Sequence, residues 1–76
     1  MDTRMQNLLD SLEQSGKNYN LEKIKDAYIY ADKLHDGQFR RSGEKYIYHP
    51  IAVAEIVADF GLDTDSICAA LLHDTV

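Results

Sequence analysis

Four apolar stripes at helical spacing, separated by capping residues and glycines, and one aperiodic stretch between Gly37 and His49 predict an all-α fold of about four helices. The aperiodic stretch is expected to be a functional loop between the second and third helices.

Met5, Leu8, Leu9 and Leu12 predict a first amphipathic helix over about Arg4 to Gln14, ending near Ser15-Gly16. Asn20 is suited to cap a second helix, in which Leu21, Ile24, Ala27, Tyr28, Ala31 and Leu34 form the stripe and Gly37 ends it. Tyr19, Tyr28 and Tyr30 are expected in core and rim packing. From Gln38 to Tyr48 the helical period is lost, and a Ser-Gly turn signal sits among charges and aromatics. Pro50 fits a first helical position, which puts His49 at the N-cap of a third helix running to Phe60-Gly61. That helix is apolar nearly all round and is expected to be central. Asp63, Thr64 and Asp65 supply the cap and first-turn acids of a fourth helix that leads to His73-Asp74.

At 76 residues the chain makes at most one small domain, spanning residues 1 to 76, with no linker long enough to divide it. Its 45% hydrophobic and 28% charged content is that of a globular chain, and the apolar residues are spaced periodically rather than gathered into a membrane span. A net charge of -5 argues against binding a nucleic-acid polymer. The residues after Met1 lack the basic and apolar regions of a secretory signal, so a cytoplasmic location is expected. The single cysteine, Cys68, sits among Ile67, Ala69 and Ala70 and is expected to be a small buried hydrophobe.

The chemistry concentrates in two places. His73 and Asp74 follow the apolar run Ala69-Ala70-Leu71-Leu72, and burying such a pair costs several kcal/mol, roughly, unless a partner or metal compensates. Adjacent helical side chains diverge by about 100° and can serve one ion seated between them. With His49 at the entry of the third helix, the imidazole and carboxylate donors suit Mn, Fe, Co or Zn. The alternative is a hydrogen-bonded structural pair, with His49 merely capping its helix. In the loop, Arg40, Arg41 and Lys45 place three of the eight basic residues within six positions, which suits an anionic ligand. The alternative is a solvated loop whose arginines pair with Glu44 and neighbouring acids.

The fourth helix reaches Val76 with neither a C-cap glycine nor a polar last turn, so Leu71, Leu72 and Val76 are expected to form an uncovered apolar face. A chain cut short and a homo-oligomer through this C-terminal helix are the corresponding expectations.

The segments His35-Asp36-Gly37-Gln38-Phe39-Arg40-Arg41-Ser42-Gly43-Glu44-Lys45-Tyr46-Ile47-Tyr48-His49-Pro50 and Ala69-Ala70-Leu71-Leu72-His73-Asp74-Thr75-Val76 together resemble the N-terminal HD domain of RelA/SpoT-type alarmone enzymes. The resemblance covers about Ala27 to Val76 and marks the chain as a partial HD domain. It implies an all-helical, metal-dependent hydrolase that removes the 3′-pyrophosphate from guanosine tetra- and pentaphosphate, normally with Mn²⁺. It further implies that His49, His73 and Asp74 are metal ligands and that Arg40, Arg41 and Ser42 line the nucleotide pocket. Two departures stand out. Lys45 occupies a position where the family usually has proline, which should loosen the loop. The family's catalytic Glu-Asp pair and a later Asp ligand would follow Val76, so no catalytic acid is assigned within this chain. Weak metal occupancy and no hydrolysis by these residues alone are therefore expected. The competing reading is a catalytically inactive module that binds nucleotide or protein.

Overall fold

The computed structural model describes residues 2–75, and among them the regular elements are all helical: α1 (Thr3–Gln14), α2 (Leu21–Leu34), α3 (Tyr48–Asp59) and α4 (Thr64–Leu72). Each expected helix is present. The Asp2 carboxylate caps α1 by accepting from the Arg4 N–H at 2.9 Å, and the helix buries Met5, Leu8, Leu9 and Leu12. Asn20 caps α2 as expected, accepting from the Lys23 N–H at 3.1 Å. Asp63 does the same for α4, accepting from the Ser66 N–H at 2.9 Å.

The entry to α3 differs from the sequence expectation. The helix begins at Tyr48 behind an Ile47 cap that makes no side-chain hydrogen bond, so His49 is its second residue rather than its cap, and Pro50 its third. The physical reason is that the first four N–H groups of any helix lack an internal partner, so proline is tolerated at the third position as well as the first.

The central element is α4, which packs against both α2 and α3, while α1 closes over α2 and α3. The apolar pattern predicts that role for α3. In fact α3 buries Ile51 and Ala54 but leaves Ile56 exposed, at 56%, as is Phe60 at its C-cap, at 77%, so its all-round apolar character is not matched by all-round packing. Ile67, Cys68, Ala70 and Leu71 of α4 are all in the core, with Leu71 wholly buried. The expected uncovered face of the last helix is thereby corrected: Leu71 faces inward, Leu72 is half-buried against the core, and Val76 lies outside the described residues. Of the tyrosines, Tyr28 is core, Tyr19 rim, and Tyr30 exposed.

The loop between α2 and α3 is a small hairpin. Arg40 N–H donates to the Glu44 carbonyl at 2.8 Å, Tyr46 N–H donates to the Gln38 carbonyl at 2.9 Å, and Phe39 and Lys45 form an isolated antiparallel bridge. Gly43, at φ 90°, supplies the turn residue that the Ser-Gly signal anticipates.

Candidate metal centre

The packing of α3 on α4 brings together one residue from the start of the first and two from the end of the second. His49 lies in the first turn of α3, where its N–H donates to the Tyr46 carbonyl at 3.0 Å and ties the helix entry to the hairpin. His73 is the C-cap of α4, still with helical dihedrals, and Asp74 follows it. Their donor atoms converge. Asp74 Oδ2 is 3.1 Å from His73 Nε2 and 3.5 Å from His49 Nε2, and one donor atom from each residue lies within 4.8 Å of both others. Donors about 2.1 Å from a common ion stand about 3.0 to 3.4 Å apart across an octahedral or tetrahedral edge; the 3.1 Å pair falls in that range and the 3.5 Å pair just beyond it, within a small side-chain adjustment of a shared cation.

A hydrogen bond on the far side of His73 sharpens this. Its Nδ1 lies 2.6 Å from the Ala70 carbonyl oxygen, which can only accept, so Nδ1 carries the proton and Nε2 of the neutral ring presents a lone pair. That lone pair faces a carboxylate oxygen. Two acceptors at 3.1 Å repel each other unless a cation or an additional proton lies between them. The same outer hydrogen bond, imidazole N–H to backbone carbonyl, is the one that orients histidine metal ligands.

Asp74 is held ionised. The Tyr46 hydroxyl donates to its Oδ2 at 2.7 Å and pulls the carboxyl below its ordinary value, against partial desolvation. The same bond raises the Tyr46 phenol. The Tyr46 ring sits 4.7 Å from the ring of His35 and 5.8 Å from that of His49. Neither Tyr46 nor His35 emerges from the sequence as a site residue. For His35 a signal exists, since it continues the stripe Ile24, Tyr28, Ala31 onto the buried face, where it is 7% exposed. For Tyr46 none exists, because a loop has no periodicity to give its side chain a direction.

Arg40, Arg41 and Ser42 are exposed on the hairpin turn. Among the described residues neither arginine ion-pairs with Glu44 or any other acid, so the paired-loop alternative is not what the structure contains. Arg40 lies close enough to Tyr46 to act on its phenol electrostatically, whereas among the described residues no ion pair joins Arg41 to the cluster. A cavity of about 410 Å³ lies at the opposite end of α4, lined by Lys17, Tyr19, Leu62 and Thr64, well away from the histidines. It shares no residue with the cluster.

An all-helical scaffold that joins a histidine at one helix entry to an adjacent His-Asp pair at another helix end defines an HD-type domain. The chain belongs to the HD domain family, whose pattern its residues 27–76 match. It is 44% identical over 73 residues to a guanosine-3′,5′-bis(diphosphate) 3′-pyrophosphohydrolase of Vibrio cholerae, an alignment that covers 91% of this chain and 10% of the relative. The same identity and coverage hold for the bifunctional (p)ppGpp synthase/hydrolase SpoT of Escherichia coli. The bifunctional (p)ppGpp synthase/hydrolase RelA of Mycobacterium tuberculosis is 53% identical over 57 residues, covering 75% of this chain and 8% of the relative. The chain thus spans about a tenth of the length of the curated relatives it matches, and the RelA/SpoT resemblance holds over most of it.

Proposed function

We propose that this chain is the metal-binding front part of a guanosine-3′,5′-bis(diphosphate) 3′-pyrophosphohydrolase domain acting on guanosine tetra- and pentaphosphate. The observation that carries the reading is the His73 lone pair facing the ionised Asp74 at 3.1 Å with His49 beside it, an arrangement that a divalent cation resolves. His49 Nε2, His73 Nε2 and Asp74 Oδ2 are the proposed ligands, and Mn²⁺ the proposed ion. When bound, such an ion lowers the pKa of a coordinated water and polarises a phosphoryl oxygen. The hairpin guanidinium groups of Arg40 and Arg41, with the Ser42 hydroxyl, bind and orient the nucleotide's phosphates or base from the adjoining surface. The location proposed is cytoplasmic.

Among the described residues the cluster contains one carboxylate, Asp74, and its place is taken up by ligation. Among the described residues no second acid joins this group to deprotonate or orient a water. Residues 1–76 by themselves are proposed to bind metal and nucleotide without turning the nucleotide over. Self-association through α4 keeps only Leu72 as its apolar support, and light scattering of the Leu72→Glu variant tests it.

The test of the main reading is titration of the purified chain with Mn²⁺, followed by electron paramagnetic resonance, then with guanosine tetraphosphate. Saturable Mn²⁺ binding that His73→Ala abolishes is expected, with nucleotide binding weakened by Arg41→Ala. Binding indifferent to His73→Ala overturns the metal assignment.

A further inference from the structure

We propose that Tyr46 is a positioning residue that aims the Asp74 carboxylate at the shared ligand point, with the His35 ring as its prop; this rests on the cluster being a cation site. Asp74 follows the end of α4 and is exposed, so neither helix packing nor burial restricts its rotamer. Each carboxylate oxygen has two lone-pair directions. At Oδ2 one is taken by the Tyr46 hydroxyl at 2.7 Å, and the other is left toward His73 Nε2 and His49 Nε2. Tyr46 thus selects which lobe of the carboxylate the imidazoles share.

Tyr46 can do this only if its own ring is fixed, although it stands at the end of a surface hairpin. Two rings fix it. His35 lies against one side at 4.7 Å and 43°, and His49 meets it edge-on at 5.8 Å and 65°. His35 is in turn locked by Gln38, whose amide oxygen lies 3.1 Å from Nδ1 and whose amide nitrogen donates to the Leu34 carbonyl at 3.2 Å. Its Nε2 makes no hydrogen bond among the described residues, so the contact it offers Tyr46 is that of the ring itself. One tyrosine thereby touches two of the three proposed ligands and ties the α2 end and the hairpin to the α3 and α4 ends.

The test is Tyr46→Phe, which keeps the ring and removes only the hydroxyl, in the full 76-residue chain. Two measurements are made. In metal-free protein, three-bond couplings across Asp74 Cα–Cβ report its rotamer: a single rotamer is expected in the parent chain and averaging in the variant. In titrations with Mn²⁺, affinity is expected to fall by about 10- to 100-fold, as for other groups that orient a ligand, while the melting temperature of the metal-free chain is unchanged. His35→Leu, which removes the flat prop and leaves the hydroxyl, is expected to shift both readouts the same way to a smaller degree. An Asp74 rotamer that stays fixed in Tyr46→Phe, or an unchanged Mn²⁺ affinity, overturns the proposal. A parent chain that binds no Mn²⁺ overturns the cation-site reading instead, and the Asp74 couplings then decide separately whether Tyr46 fixes the carboxylate.

Discussion

His73 Nδ1 lies 2.6 Å from the carbonyl oxygen of Ala70, three residues back along α4, and this one bond dictates how the ring meets Asp74. A carbonyl has no proton to give, so the histidine must donate, and the nitrogen left facing Asp74 Oδ2 at 3.1 Å is the basic one. Nitrogen-15 spectra of the neutral chain should therefore show a protonated Nδ1 and a pyridine-type Nε2 on His73. An Nε2–H tautomer would mean that the ring donates directly to Asp74, and the pair would then need no cation.

Removing donors one at a time should separate ligation from packing. Asp74→Asn keeps the shape of the side chain but removes its charge, and should weaken Mn²⁺ binding far more than it changes the melting temperature, since Asp74 is exposed. His49→Ala should behave similarly. Arg40→Ala and Arg41→Ala should leave Mn²⁺ affinity nearly unaltered and lower affinity for guanosine tetraphosphate, because neither guanidinium forms an ion pair with Asp74. Isothermal titration of each variant with the two ligands checks the split.

Much of this was legible in the residues, and the reasons differ from place to place. Helix positions follow from stripes and caps, and Asn20 and Asp63 cap the helices that their side chains foretell. Convergence of His49 with His73-Asp74 follows from placing polar donors at the ends of apolar helices. The order of packing did not follow: α3 is more apolar around its circumference than α2, yet α4 makes the most extensive contacts with its neighbours, because pattern measures how much a helix can bury and not which neighbours reach it. Tyr46 was illegible for a related reason. Its direction is set by the hairpin bonds between Gln38, Arg40, Glu44 and Tyr46, which depend on backbone geometry rather than on side-chain spacing.

Acid should loosen the end of α4 remote from the histidines. The Asp63 carboxylate accepts from the Ser66 N–H and hydroxyl, which holds its pKa below the ordinary 3.8. The folded chain then binds fewer protons than the unfolded one in the interval between the two pKa values, so stability is fully present above the unfolded value and is lost as pH falls through the lowered one. Asp63→Ala should lower the melting temperature at pH 7, and its difference from the parent chain should shrink below about pH 4, where the parent's cap also loses its charge. Melting curves by circular dichroism over pH 2.5 to 7, those limits being roughly the span over which carboxylates titrate, test the sign.

Ile51 within α3 and Phe60 at its C-cap should respond very differently to the loss of an apolar side chain, although the sequence pattern treats them alike. Ile51 is wholly buried, and Ile51→Ala leaves a cavity at the contact of α3 with the rest of the core, at a cost of about 2 to 5 kcal/mol. A domain of this size has a total stability near the lower end of about 5 to 15 kcal/mol, so this variant should be largely or wholly unfolded at 37 °C, roughly the temperature at which a loss of that size exhausts so small a margin. Phe60 is 77% exposed, and Phe60→Ser should change stability by no more than about 0.5 kcal/mol. Urea titration of both variants measures the contrast. Comparable losses at the two sites would show that Phe60 is covered in solution by something that buries it as fully as the core buries Ile51.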